Sequence, residues 1–189
     1  EAPYDLWAAD IRRFGLPQKD VSWTRDRALE LYGKHYTIAW PHEEHASGRP
    51  LLRSPLFEVL KDHGACFGEK LGWERPNWFA LDGRPAIDHY SFGRASWFDA
   101  VGYEHQSVRE KVAIFDQSSF AKFEVVGPDA GRALNWICSN EIDREPGKVM
   151  YTQMLNERGG IECDLTVTRL GEQAFYVVTG TSSITHDFH

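Results

Sequence analysis

The sequence predicts an α+β chain: a small mixed unit, then an antiparallel meander set beside two helices. Three observations carry that expectation. From Phe120 to Val126 the residues alternate, with Ala121, Phe123 and Val125 on an apolar face and Phe120, Lys122, Glu124 and Val126 on the other. Two further strand-like runs, Tyr151 to Leu155 and Ile161 to Leu170, flank Asn156-Glu157-Arg158-Gly159-Gly160, a hairpin loop whose glycines supply positive φ. Gly171-Glu172-Gln173 then turns the chain into a last strand, Ala174 to Thr179.

The remaining elements follow from punctuation. Leu6, Trp7, Ile11 and Phe14 recur at helical spacing after Pro3, which predicts a helix from Tyr4 to Phe14 that Gly15 and Pro17 stop. Arg25 to Tyr32 is helical in composition, His35 to Trp40 reads as a short strand, and Pro41 to Pro50 as a polar loop. Ser54-Pro55 opens a helix that runs to about His63 and stops at Gly64. Residues 72–79 are dense in aromatics. Residues 81–95 carry Gly and Pro and mark a boundary, which divides the chain into 1–20, 21–80 and 81–189. Tyr103 to Val112 predicts one helix of the last part; Gly127-Pro128-Asp129 opens the other, through Ile137. A helix at the start that cannot stand alone, and a sheet that ends with an open edge, predict more chain on both sides.

Composition excludes several classes. In 189 residues, 42% are hydrophobic and 26% charged, which is globular rather than disordered. A net charge of −7 speaks against phosphate-backbone binding, so no nucleic-acid partner is expected. No apolar run reaches 18 residues, so no membrane span is expected, and Glu1 to Asp10 shows no signal peptide. Cys66, Cys138 and Cys163 are odd in number and scattered, which fits a reducing compartment better than disulfides or zinc, with Cys66 and Cys138 read as small buried hydrophobes.

The chain has no GxGxxG or P-loop turn to cradle a dinucleotide, no HExxH and no GxSxG. His42-Glu43-Glu44-His45 and His186-Asp187-Phe188-His189 each set two histidines three apart, a spacing that suits metal ligands on a helix, but no third ligand is evident. No metal site is predicted. Trp73, Trp78, Phe79 and Tyr90 read as packing aromatics before they read as a platform for a flat cofactor. The strand from Ile161 to Leu170 places Glu162, Asp164, Thr166 and Thr168 on one face and Ile161, Cys163, Leu165 and Val167 on the other. Asp is disfavoured in mid-strand. A half-exposed polar face explains the pattern. So does a carboxylate placed as a general base or as the partner of a cation.

Three blocks resemble the sarcosine and dimethylglycine dehydrogenases, flavin enzymes that demethylate amino acids. Asp5-Leu6-Trp7 with Asp10-Ile11-Arg12-Arg13-Phe14 is similar to the end of their flavin domain. Arg53-Ser54-Pro55-Leu56, Gly64-Ala65, Phe67-Gly68-Glu69 and residues 72–79 resemble their connecting domain. Residues 103–178, with Arg109-Glu110, Phe115-Asp116, Gly127-Pro128-Asp129-Ala130, Ser139-Asn140, Tyr151-Thr152 and Gly159-Gly160-Ile161 through Asp164-Leu165, are similar to the glycine cleavage T-protein.

The resemblance implies a small mixed connecting domain at 21–80, after the flavin-domain end at 1–20. It implies an incomplete T-protein-like folate domain at 81–189. FAD, held mainly outside this chain, would oxidise a methylated amine, and tetrahydrofolate would take the one-carbon unit. The family's catalytic aspartate matches Asp164, and Tyr151 and Thr166 would help hold the folate. The rest of the same polypeptide would be the partner. The compartment implied is the cytoplasm in a bacterium or the mitochondrial matrix in a eukaryote. Two departures separate the chain from stand-alone T-proteins. Cys163 replaces the first of two acidic residues, and Thr179-Gly180 replaces an Asn after the last strand. A stand-alone aminomethyltransferase and a non-enzymatic regulatory subunit on the same scaffold remain alternatives.

Overall fold

Alternation decides the second half of the chain. In this computed structural model, which describes residues 6–81 and 83–189, the chain divides into two compact units, one of residues 14–119 and one of residues 120–189 with the segment up to Arg13.

In the first unit, α1 (Leu16–Lys19) leads into α2 (Val21–Lys34). Asp20 caps α2 by accepting from the Trp23 amide at 2.8 Å. After α3 (Phe57–Asp62), β1 (Ala65–Lys70) and β2 (Trp73–Phe79) pair antiparallel through a turn at Leu71 and Gly72, both with positive φ. A Cβ at Gly72 would also strike Pro17 and Leu51. The helix α4 (Phe98–Glu110) supplies Ala100 to a core with Cys66 and Trp78. Two ion pairs are buried beside this hairpin. Arg49 grips Glu74 with Nε at 2.9 Å and Nη2 at 2.6 Å, and Arg27 Nη2 meets Glu69 at 3.0 Å.

In the second unit, β3 (Ala121–Val126), β4 (Val149–Leu155), β5 (Ile161–Arg169) and β6 (Ala174–Thr179) form an antiparallel sheet ordered β3-β6-β5-β4. Between β3 and β4 lies α5 (Ala130–Ile137). Its Ala130 and Leu134, with Cys138 and Ile142 beyond it, cover one sheet face through Leu165, Val167, Phe175 and Val177. The hairpin loop closes on Asn156, whose Oδ1 accepts from the Arg158 and Gly160 amides while Gly159 takes φ +78°. A turn at Thr181–Ser183 and the helix α6 (Ile184–Phe188) follow β6.

The α+β class and the meander are as the sequence predicts. Four local expectations are corrected. The helix expected from Tyr4 to Phe14 is two 3₁₀ turns, Trp7–Ala9 and Ile11–Arg13; Pro3, Tyr4 and Asp5 lie outside the described residues. Asp10 is extended between them and accepts from Arg12 N, Nε and Nη2, a local closure that competes with helix. Gly15 and Pro17, expected as a stop, open α1 instead, since Pro suits a first helical turn. Residues 35–40 are not a strand; Thr37 bonds back to Lys34 and the Trp40 amide to Glu43, local bonds that compete with a ladder. The helix expected from Tyr103 starts five residues earlier, at Phe98.

Candidate functional site

The sheet face turned away from α5 carries the predicted site residues together. Asp164 lies opposite Gln153, and Tyr151 opposite Thr166, so Tyr151 and Asp164 are diagonal neighbours across β4 and β5. Tyr151 Oη donates to Asp164 Oδ2 at 3.0 Å. Tyr151 is 58% exposed, Asp164 is exposed and Thr166 half-buried. Thr166 in turn lies opposite Val178 of β6, and Thr168 opposite Tyr176. Carboxylate, phenol, hydroxyl and the Gln153 amide therefore share a face with the half-buried Val178 and Tyr176.

Backbone anchors hold that arrangement. Asn140 Nδ2 donates to the Tyr151 carbonyl at 2.7 Å, and the Asn140 amide donates to the buried Thr152 hydroxyl at 3.0 Å. Ser139 Oγ donates to Gln153 Oε1 at 3.2 Å. Sequence reasoning had no independent signal for Gln153, which becomes a neighbour of Asp164 only through strand register.

A second polar group lies where β6 ends. Thr179 Oγ1 donates to Asp187 Oδ2 at 2.5 Å. His186 Nδ1 lies 2.9 Å from the other Asp187 oxygen, and its Nε2 lies 3.9 Å from Glu162 Oε2. The Asp187 side chain is 2% exposed and that of His186 30%. Burial pushes the Cys163 thiol up to about 12, and the Asp187 carboxylate adds to it. Cys163 thus stands where an acidic residue would face a second carboxylate in a water-poor corner. The Trp7 ring meets His186 edge-on at 5.0 Å between centroids.

The other candidates have structural duties. His42 meets Trp97 edge-on, and His45 lies 3.7 Å from Glu30. Among the described residues no three metal-ligating side chains converge. Trp78 is buried and donates to Asp88 at 2.7 Å, and Tyr90 Oη accepts from the Glu44 amide at 3.3 Å. Trp78 and Tyr90 are thus engaged in contacts within their own unit.

The chain shares its fold with an aminomethyltransferase T. The structure of glycine cleavage system aminomethyltransferase T from Bartonella henselae superimposes with a TM-score of 0.58 at 30% identity, over 73% of this chain and 34% of that one. The family model for the GCVT N-terminal domain matches residues 56–189, and that for the FAD dependent oxidoreductase central domain matches residues 1–54. The chain belongs to the GCVT N-terminal domain family, preceded by that oxidoreductase central domain. It is 44% identical to 4-methylaminobutanoate oxidase (formaldehyde-forming) of Paenarthrobacter nicotinovorans, over 93% of this chain. It is 39% identical to the mitochondrial sarcosine dehydrogenase of Homo sapiens, over 88% of this chain. The chain spans 21% of the length of each of these relatives.

Proposed function

We propose that this chain is part of a flavin-dependent N-methyl amino acid dehydrogenase, acting on sarcosine or dimethylglycine, that passes the one-carbon unit to tetrahydrofolate. The observation that carries the reading is Asp164, held outward by Tyr151 on an open sheet face. The residues on that face fit a reduced pterin: a carboxylate for an N–H, hydroxyls at Tyr151 and Thr166, and apolar surface at Val178 and Tyr176 beside them. Bound there, tetrahydrofolate supplies a nucleophilic amine for the one-carbon unit. Asp164 accepts the proton of that amine and balances the positive charge that develops beside it. Tyr151 orients the carboxylate, and Thr166 offers a hydroxyl two residues along the strand.

FAD belongs mainly outside this chain, since residues 1–189 carry no glycine-rich turn to hold it. The division into 1–20, 21–80 and 81–189 goes with the same reading: end of the flavin domain, connecting domain and first part of the folate domain. A methylated amine and the rest of the polypeptide are the partners. The compartment is the mitochondrial matrix in a eukaryote or the cytoplasm in a bacterium.

The test uses the full-length protein. Its absorption spectrum should show flavin bands; a colourless protein would favour a regulatory subunit on this scaffold. In Asp164→Asn, flavin reduction by the amine should continue while methylene-tetrahydrofolate formation falls by about a hundredfold or more, as expected for a positioned proton acceptor. Equal loss of both activities would remove Asp164 from the role.

A further inference from the structure

The geometry points to His186, oriented by the buried Asp187, as a second proton-handling side chain at the end of the strand that carries Asp164, offering an exit path for the proton that Asp164 removes. The inference rests on the folate reading above.

Its basis is the corner where β6 stops. Thr179 lies opposite Leu165, so β5 residues before Leu165 have no β6 partner, and α6 stands beside them. Asp187 is sealed there, with Thr179 Oγ1 on one oxygen and His186 Nδ1 on the other. A buried carboxylate on Nδ1 fixes which imidazole nitrogen faces outward, as second-shell carboxylates do for working histidines. Here Nε2 is the other nitrogen, and it lies 3.9 Å from Glu162 Oε2. Glu162 precedes Asp164 by two residues on the same strand face, about 6–7 Å away along the strand. Asn156 Nδ2 holds the other Glu162 oxygen at 2.7 Å. Asp164, Glu162 and His186 thus form a row leading from the middle of the face to its end.

The proton balance is simple. A ligand N–H proton passes to Asp164, making a neutral carboxylic acid. It moves along the row, by water or Glu162, to Nε2, and the imidazolium formed is balanced by Asp187. Nε2 then releases it to solvent, and Asp164 is again a carboxylate. With a ligand seated over Asp164, the row offers the proton a sideways route.

The charged and titratable groups around His186 are few. They are Glu162 and Cys163 on β5, Asp187 and His189 on its own helix, and Asp10, Arg12 and Arg13 at the turn packed against α6. Arg12 is tied to Asp10 at 2.6 Å. None replaces His186 at the end of the row.

The experiment has a chemical and a kinetic arm, both on the full-length enzyme. Diethyl pyrocarbonate is added to unliganded protein and its acyl group mapped by peptide mass spectrometry. His186 should acylate readily in the parent and more slowly in Asp187→Asn, and folinic acid should protect it. His186→Gln should then lower methylene-tetrahydrofolate formation by about a hundredfold, change its pH profile, and regain rate with added imidazole. Parental rate and pH profile in His186→Gln would overturn the inference. So would a uniform loss with an unchanged profile and no imidazole rescue, or acylation of His186 without loss of rate. Asp164→Asn is measured alongside. If it too behaves as the parent, the folate reading has failed; if it alone is impaired, only the exit path has.

Discussion

Tyr151 Oη stands 3.0 Å from Asp164 Oδ2, on neighbouring strands and two residues apart in register. The phenol donates to the carboxylate, so it restricts the rotamer of this mid-strand acidic side chain. Tyr151→Phe removes the donor and keeps the ring. A hydrogen bond of this kind contributes about 0.5–1.5 kcal/mol, so the folate-dependent rate should fall roughly three- to tenfold. Because Tyr151 is largely exposed, the thermal midpoint should barely move. A loss of several degrees would instead make Tyr151 a structural residue.

The cysteines give a pH prediction. Burial first, and Asp88 second, push the Cys66 thiol up to about 12; Cys163 is held as high by burial and Asp187; burial raises Cys138 as well. An unfolded thiol titrates near 8.5. The folded pKa values lie above the unfolded one, so the stability these neutral thiols contribute is fully present below about pH 8.5 and is lost as pH rises toward 12. At pH 8, iodoacetamide should label none of the three quickly in the native protein and all three in denaturant. The denaturation midpoint should fall steadily above pH 9.

The ion pair between Arg49 and Glu74 supports a third prediction. The Glu74 side chain is 4% exposed and that of Arg49 20%, and the contact is bidentate. Removing one member strands a buried charge, so Glu74→Gln should cost about 3–5 kcal/mol. Replacing both, with Arg49→Met and Glu74→Leu, should recover most of that loss. Urea denaturation of the parent, Arg49→Met, Glu74→Leu and the double variant measures the coupling; additive losses would show that the pair does not act as a unit.

The parts of the fold legible in the sequence are those set by local rules. Period-2 alternation placed β3 and both faces of β5, including an outward Asp164 and an inward Cys163. Asn156 and Gly159 marked the hairpin because few residues accept that turn. The β1–β2 hairpin was harder to see. Its strands carry Gly68, Glu69, Glu74 and Pro76, which argue against a strand until Arg27 and Arg49 arrive from distant segments to neutralise the acids. Gly68 itself answers to a remote contact: a Cβ there would meet Glu44 Oε2, which accepts from the Glu69 amide at 2.7 Å.

The sequence by itself determined the class, the meander and the side of the sheet on which Asp164 stands, because strand geometry sends alternate residues to opposite faces. Only the tertiary structure decided what surrounds that carboxylate. Strand register brought Tyr151 and Gln153 beside it, and the end of β6 let α6 bring Asp187 against Thr179 and Cys163. Register and helix docking are set by burial summed over many residues far apart in the chain, and no local pattern around Asp164 or His186 contains that sum.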